Sequence, residues 1–303
     1  MHGWIILDKP LGLGSTQGVS AVKRALRQGG YGKVKVGHGG TLDPLATGVL
    51  PIAIGEATKL AGRLLDSDKV YDFTIAFGEQ TDTLDGEGMV IATSDVRPTS
   101  AAVGAILPRF TGPIAQVPPA YSALKIDGER AYDRARAGEE VVLASRDVVI
   151  HALRSSPQSG EDLQEATLTA HVSKGTYIRS LARDIALALG TVGHITMLRR
   201  TKAGPFDLSQ AISLDKLAEA AKARTLEHLL LPLRAGLDDI PALPLTPDQA
   251  GALRQGRVLA GIVADDGQHF AMLDSVPVAL VEVLDREVRV VRGFNITMSR
   301  EDA

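Results

Sequence analysis

Five glycines (Gly37, Gly39, Gly40, Gly48 and Gly55) fall between Val34 and Gly55, around an Asp43-Pro44 pair, and strand-like apolar runs flank the segment. Glycine reaches backbone conformations that a Cβ forbids and lets another group approach the main chain. The pattern predicts a tight loop set between strands, with something held close to its backbone. Around it the periodicities alternate. Trp4-Ile5-Ile6-Leu7 reads as a strand ended by Asp8-Lys9-Pro10. Ser15 is placed to cap a helix with Val19, Val22 and Leu26 on its apolar face, stopped by Gly29-Gly30. Tyr71–Phe77 and residues 164–173 alternate at period two, as half-buried strands do. From about Thr176, the residues Ile178, Leu181, Ala182, Ile185 and Leu189 follow helical spacing, and Gly190 ends the run. A further helical stretch is expected over Ser213–Leu231. Four prolines (Pro232, Pro241, Pro244, Pro247) then mark a boundary. Beyond it, a short helix over Pro247–Arg254 and strands over Val276–Leu284 and Val288–Arg292 predict a small β-rich module packed on a larger partner.

With 45% hydrophobic and 23% charged residues in 303, the chain is globular rather than disordered or fibrous. Cysteine is absent, which excludes disulfides, a thiolate nucleophile and iron–sulfur ligation. Met1–Pro10 carries no signal-peptide pattern, and no apolar run approaches the roughly 18 residues of a membrane span, so a cytoplasmic protein with no membrane partner is expected. The net charge of −3 hides a segregated distribution. Lys9, Lys23, Arg24, Arg27, Lys33 and Lys35 occur with no acid between Lys9 and Leu42. Lys174, Arg179, Arg183, Arg199, Arg200 and Lys202 are opposed by Asp184 alone. Glu79–Asp95 is the mirror image, with five acids and no base. Two cationic segments suit an anionic ligand on one face; solvated charge clustered by chance is the plainer alternative.

Familiar cofactor patterns fail. Gly12-Leu13-Gly14 opens a helix after a strand, but the third glycine comes late and no acid follows to hold a ribose, so a dinucleotide site is not expected. Ser20-Ala-Val-Lys23 and Ser122-Ala-Leu-Lys125 lack the companion motifs of serine–lysine acylases. None of the seven histidines has a second histidine at ligand spacing in the chain, so no metal site is expected. What remains is GHGGTLDPLATG, Gly37 to Gly48. Asp43 there is either a turn residue bonding nearby N–H groups or a carboxylate offered on a rigid loop as nucleophile or general base. In the second case it needs a cation, and Arg179 is a candidate to fork across both oxygens.

The segment GHGGTLDPLATG closely resembles the active-site motif of the bacterial tRNA pseudouridine-55 synthases, the TruB family. The resemblance runs over essentially the whole chain: LDKPLG with Ser15, YDFTIAFGEQTDTLDGEG, QVPPAYSALKIDGERAYDRARAG, KGTYIRSLARDIALALG and HITMLRRTKAGPF, in family order. One departure is Gly39, where the family usually has threonine beside the histidine.

The resemblance implies an α+β pseudouridine-synthase fold on a mixed, largely antiparallel sheet over residues 1–240, with residues 116–138 as an RNA-clamping insertion, and a PUA-type β-barrel over 241–303. It implies isomerisation of uridine 55 in the T-loop of tRNA, with no cofactor and Asp43 as nucleophile. Tyr71 would stack on the target base, Tyr177 would sit against the uracil, Arg179 would pair with Asp43 and Leu198 would contact the base edge. His38 would help extrude loop nucleotides, and Lys9 would support the site or touch phosphate. The cationic segments would then be phosphate contacts. The expected partner is the tRNA T-arm stem-loop, bound by a monomer with no obligate protein partner. The other readings are a guide-RNA-dependent relative, disfavoured by the short termini, and a tRNA-binding or folding factor without catalysis.

Overall fold

The computed structural model describes residues 1–296 apart from Ala123, Asp127, Glu140, Val142 and Gln158, so two positions of the 116–138 excursion and the last seven of the C-terminal module lie outside the described residues. The chain opens with β1 (Gly3–Lys9), α1 (Ser15–Gln28), β2 (Val36–His38) and β3 (Ala46–Ile54). Then come α2 (Ala61–Asp66), β4 (Lys69–Phe77) and a hairpin of β5 (Glu79–Thr81) and β6 (Val90–Thr93). α3 (Ser100–Ile106) leads to β7 (Gly112–Gln116), and the excursion carries β8 (Lys125–Ile126), β9 (Glu129–Arg130) and α4 (Ala131–Arg136). The larger body ends with β10 (Arg146–Ser155), β11 (Glu165–Val172), α5 (Ile178–Ala188), β12 (Gly193–Ala203), β13 (Phe206–Asp207) and α6 (Leu214–Ala223).

Seven of these strands run side by side in the order β1-β3-β12-β4-β11-β10-β7, with β2 added to β3 and β13 to β12. Only the β12–β3 contact is parallel, so the sheet is mixed and largely antiparallel, as expected. β3 is buried at eight of its nine residues, which is why its sequence is a continuous apolar run, whereas half-buried β11 alternates. Phe73, Ile75, Leu168 and Ala170 face Ile178, Leu181, Ala182 and Ile185 of α5 in one core; Leu7, Leu50 and Ile52 pack beneath Val19, Val22 and Leu26 of α1 in another.

The C-terminal part consists of β14 (Ala242–Pro244), α7 (Pro247–Arg254), β15 (Leu259–Ala260), β16 (Gly267–Leu273), β17 (Val276–Leu284) and β18 (Glu287–Gly293). Its five strands form a curled half-barrel sheet in the order β14-β16-β17-β18-β15. α7 falls where the sequence placed it, with Thr246 as N-cap accepting from the Gln249 N–H.

Two expectations need correcting. Ser15 is not the cap of α1 but its first residue; Gly14 is the N-cap, and Gln17 Oε1 accepts from the Gly14 N–H. The stretch from Ser213 is not one helix, because Arg224 takes a left-handed conformation (φ 57°) that ends α6, and a single 3-10 turn follows over Leu226–Leu229.

Candidate active site

The glycine-rich loop joins β2 to β3 and is tied down from three directions. Ser15 Oγ donates to the Leu42 carbonyl and accepts from the Leu42 N–H, both at 2.8 Å, which explains why the serine is buried. Lys9 is fully buried at the end of β1, and its ammonium donates to the carbonyls of Leu13 (2.6 Å), Pro10 (3.0 Å) and Pro44 (3.2 Å). Arg200 is 1% exposed on β12, and its guanidinium reaches the carbonyls of Val49, Thr41 and Gly40. Gly48 (φ +101°) is what lets β3 lie against β12 there, since a Cβ would stand 2.2 Å from the Arg200 carbonyl oxygen.

Held this way, Asp43 turns its side chain into a cleft of about 540 Å³. Tyr71 from β4, Leu198 from β12, and Tyr177 and Arg179 from the start of α5 line the same cleft. Arg179 Nη2 meets Asp43 Oδ2 at 3.0 Å, and the pair is asymmetric in burial, with the arginine side chain 9% exposed and the aspartate 44%. No hydrogen bond to the other Asp43 oxygen occurs among the described residues, so an acceptor atom is left uncommitted on a half-exposed side chain that lines the cleft. The Asp43 carbonyl, not its carboxylate, makes the turn, by accepting from the Ala46 N–H.

The expected fork of Arg179 across both Asp43 oxygens does not form. Nη1 is committed to Asp85 Oδ2 at 3.2 Å and to the Thr83 carbonyl, while Nη2 also donates to the Tyr121 carbonyl. The guanidinium is thus a rivet between two carboxylates. Asp85 is itself fixed: Oδ1 accepts from Thr83 Oγ1 at 2.6 Å and from the Glu87 N–H. Sequence reasoning missed Asp85, although it lies in the acidic stretch that stood out as a mirror image of the cationic ones.

Of the seven residues singled out from the sequence, five therefore meet in the cleft, and His38 and Lys9 do not line it. His38 ends β2; its Nδ1 is buried without a hydrogen-bond partner among the described residues, and burial, with Arg200 nearby, holds its pKa below the usual histidine value. Lys9 supports the loop from behind. Burial is the main cause that pushes its pKa down to about 8, against the attraction of Asp43. The cationic segments divide accordingly. Lys9, Arg179 and Arg200 are buried and cannot meet a phosphate, whereas Lys23, Arg24, Arg27, Lys33 and Lys35 are exposed on α1 and the loop after it. The 116–138 excursion is also not simply exposed: Gln116, Pro118, Pro119, Ser122 and Ala131 are buried, Tyr121, Ser122 and Tyr132 wall the cleft, and Gln116 Oε1 accepts from the Tyr177 N–H at 2.8 Å.

Two family models cover this body. That of the TruB family pseudouridylate synthase N-terminal domain matches residues 24–178, and that of the tRNA pseudouridylate synthase B C-terminal domain matches residues 179–238. The chain belongs to the TruB family. It is 68% identical over 298 residues to a tRNA pseudouridine synthase B of Novosphingobium aromaticivorans, covering 98% of both chains, and 62% identical to that of Zymomonas mobilis, covering 97% and 96%. Among solved structures it resembles a chain of an H/ACA ribonucleoprotein bound to a substrate RNA containing 2'-deoxyuridine (TM-score 0.73, 24% identity, 99% of this chain and 86% of that one). A chain of a Cbf5-Nop10-Gar1 complex is similar at TM-score 0.71 and 25% identity, again covering 99% and 86%. Gly39 of this loop packs against α2: a Cβ there would lie 2.5 Å from Leu64 Cδ1, so the leucine fills the room a larger residue would need.

Proposed function

We propose that this TruB-family chain converts uridine 55 in the T-loop of tRNA to pseudouridine, with Asp43 as the catalytic carboxylate. The observation that carries the reading is the half-exposed Asp43 carboxylate, ion-paired to buried Arg179, in a cleft walled by Tyr71, Tyr177 and Leu198. A uracil inside a folded loop must leave its stack before its glycosidic bond can be reached. An aromatic side chain such as Tyr71 gives the extruded base a face to stack on. His38, whose pKa burial lowers, is the residue we assign to the gap that base leaves. The reaction breaks the N1–C1′ bond, turns the uracil and joins C5 to C1′; C5 loses its proton and N1 gains one. Attack of Asp43 on C1′, attack on C6 and elimination through a glycal all need the same carboxylate in the same place. The isomerisation is redox-neutral and calls for no cofactor.

The exposed cations of α1 and its following loop supply phosphate contacts, which set affinity rather than sequence preference. The relatives named tRNA pseudouridine synthase B match the chain from end to end at 62–68% identity, which favours a stand-alone, cytoplasmic enzyme over the guide-RNA-dependent arrangement. The protein acts as a monomer on the T-arm. The half-barrel from residue 241 adds an RNA-binding surface of the PUA type.

The test is tritium release from tRNA carrying [5-³H]uridine, using purified protein without guide RNA. Wild type is expected to release the label from position 55 and Asp43→Asn to release none, while binding tRNA as before. Label retained by wild type would leave an RNA-binding or folding factor, and release only after adding a guide RNA would overturn the stand-alone reading.

A further inference from the structure

On the face of β11 opposite the cleft, three potential metal ligands converge that linear spacing kept apart. β10 and β11 pair with a register shift between Ile150 and Ala152, so His151 is the bulged residue and Ala152 lies across from His171. The bulge brings both imidazoles together, with ring centroids 4.8 Å apart. Ala170, directly opposite Tyr71, packs into the core, so the next residue, His171, projects the other way. Asp68, just before β4, completes the group: its Oδ2 lies 3.1 Å from His151 Nε2 and 3.8 Å from His171 Nε2. One ligand atom from each residue falls within 4.8 Å of the others. Ligands at zinc–nitrogen and zinc–oxygen distances of about 2.0–2.2 Å on a tetrahedron stand roughly 3.3 Å apart; the two distances from Asp68 bracket that value, and side-chain rotation closes the widest spacing, at most 4.8 Å, to meet one ion.

The neighbouring ammoniums make their hydrogen bonds elsewhere, although Lys69 lies within electrostatic reach of Asp68. Lys69 turns its ammonium to the Leu65 and Ser67 carbonyls, and Lys174 pairs with Asp66 at 2.9 Å. Asp68 has only the two imidazoles as ion partners among the described residues. All three side chains are 37–48% exposed, which gives an ion both an entry path and room for water at the fourth position. Two neutral imidazoles and one carboxylate form a borderline donor set that suits zinc or nickel and is unsuited to magnesium.

We propose that Asp68, His151 and His171 bind one zinc-class divalent cation at the protein surface, linking β10, β11 and the entry to β4. Placed across the sheet from Asp43, the ion takes no part in the uridine chemistry; it fastens three neighbouring strands. The experiment is calorimetric titration of zinc chloride into the full-length, untagged, chelator-stripped protein, with a parallel thermal melt. Wild type is expected to take up one equivalent and to melt at a higher temperature with zinc, but not with magnesium. Losing an outer-shell partner alone weakens metal sites by about 10–100-fold, so His151→Ala, His171→Ala and Asp68→Asn are each expected to weaken binding at least that much. His228→Ala, which removes an exposed histidine elsewhere, is expected to leave binding unchanged. The proposal is overturned if wild type takes up no zinc from a large excess, or if a His151→Ala/His171→Ala protein with an unchanged melting temperature in chelator binds as wild type does.

Discussion

Lys9 shows how a single buried charge can organise the loop that carries Asp43 at some cost to the fold. Its ammonium has no exposed surface and donates to three carbonyls, one of them that of Pro44 next to Asp43. Burial pushes its pKa from 10.5 to about 8, so the folded chain releases this proton more readily than the unfolded chain does. Between those two values the unfolded state holds more protons, and the contribution of Lys9 to stability rises with pH. Thermal melts of wild type and Lys9→Met from about pH 7 to about pH 10.5 should therefore diverge in favour of wild type as pH increases. Lys69, pushed down in the same way, is common to both proteins and cancels. A constant difference would show that Lys9 titrates alike in both states. The sequence made the lysine conspicuous, but not its direction: a cation in a basic segment looks the same whether it faces a phosphate or three carbonyls. Arg200 and Asp85 were hidden for the same reason, because burial depends on contacts across 90 residues or more of chain, as in the Arg200 bond to the Val49 carbonyl (151 positions away) and the Arg179 bond to Asp85 (94 positions away).

At the scale of elements, the periodicities carried the most information where one face of an element is buried. β4, β11, α5 and α7 lie within two residues of their expected limits because each alternates against a core. The stretch after Ser213 misled because Leu226 and Leu229 continue an apolar pattern past the left-handed break at Arg224. The fit of α2 against the motif loop lay beyond reach too, since a glycine in a sequence does not say which side chain fills its space. Leu64 fills it at Gly39. Overfilling a packed site costs about 1–3 kcal/mol. Gly39→Thr should destabilise this protein by that amount in urea titrations. In a Leu64→Ala background the same change should cost less than about 0.5 kcal/mol, since contacting residues are not additive. Equal costs in the two backgrounds would rule out the leucine as the reason for the glycine.

For the whole molecule, the half-barrel beyond residue 240 has a buried core of its own, around Leu243, Leu253, Val281 and Val288, but a second cluster crosses the boundary. Phe270, Leu280 and Phe294 of the half-barrel belong to one buried cluster with Trp4, Leu60, Leu64, Phe206, Leu233 and Leu237 of the larger body. Polar contacts reinforce the junction: Lys59 Nζ donates to the Gly293 carbonyl, Glu56 accepts from the Asn295 N–H, and Arg63 bonds both Asp239 and Gln268. Leu64 also stands against Gly39 of the glycine-rich loop, so the cluster shared with the C-terminal sheet backs the loop that carries Asp43. A separable RNA-binding module would behave differently on deletion. Removing residues 241–303 from such a module would weaken tRNA binding and leave the melting temperature of the body alone. Here the deletion uncovers apolar surface equivalent to several side chains, each worth about 1.5–3 kcal/mol when buried. At about 2–4 °C per kcal/mol for a body of this size, the melting temperature should fall by about 10 °C or more. Phe294→Ala, which keeps every backbone contact, should produce part of that fall and, in proportion, lower turnover on tRNA with little change in affinity. A truncated chain that melts like the intact protein would show that the two sheets fold independently and that the half-barrel serves RNA alone.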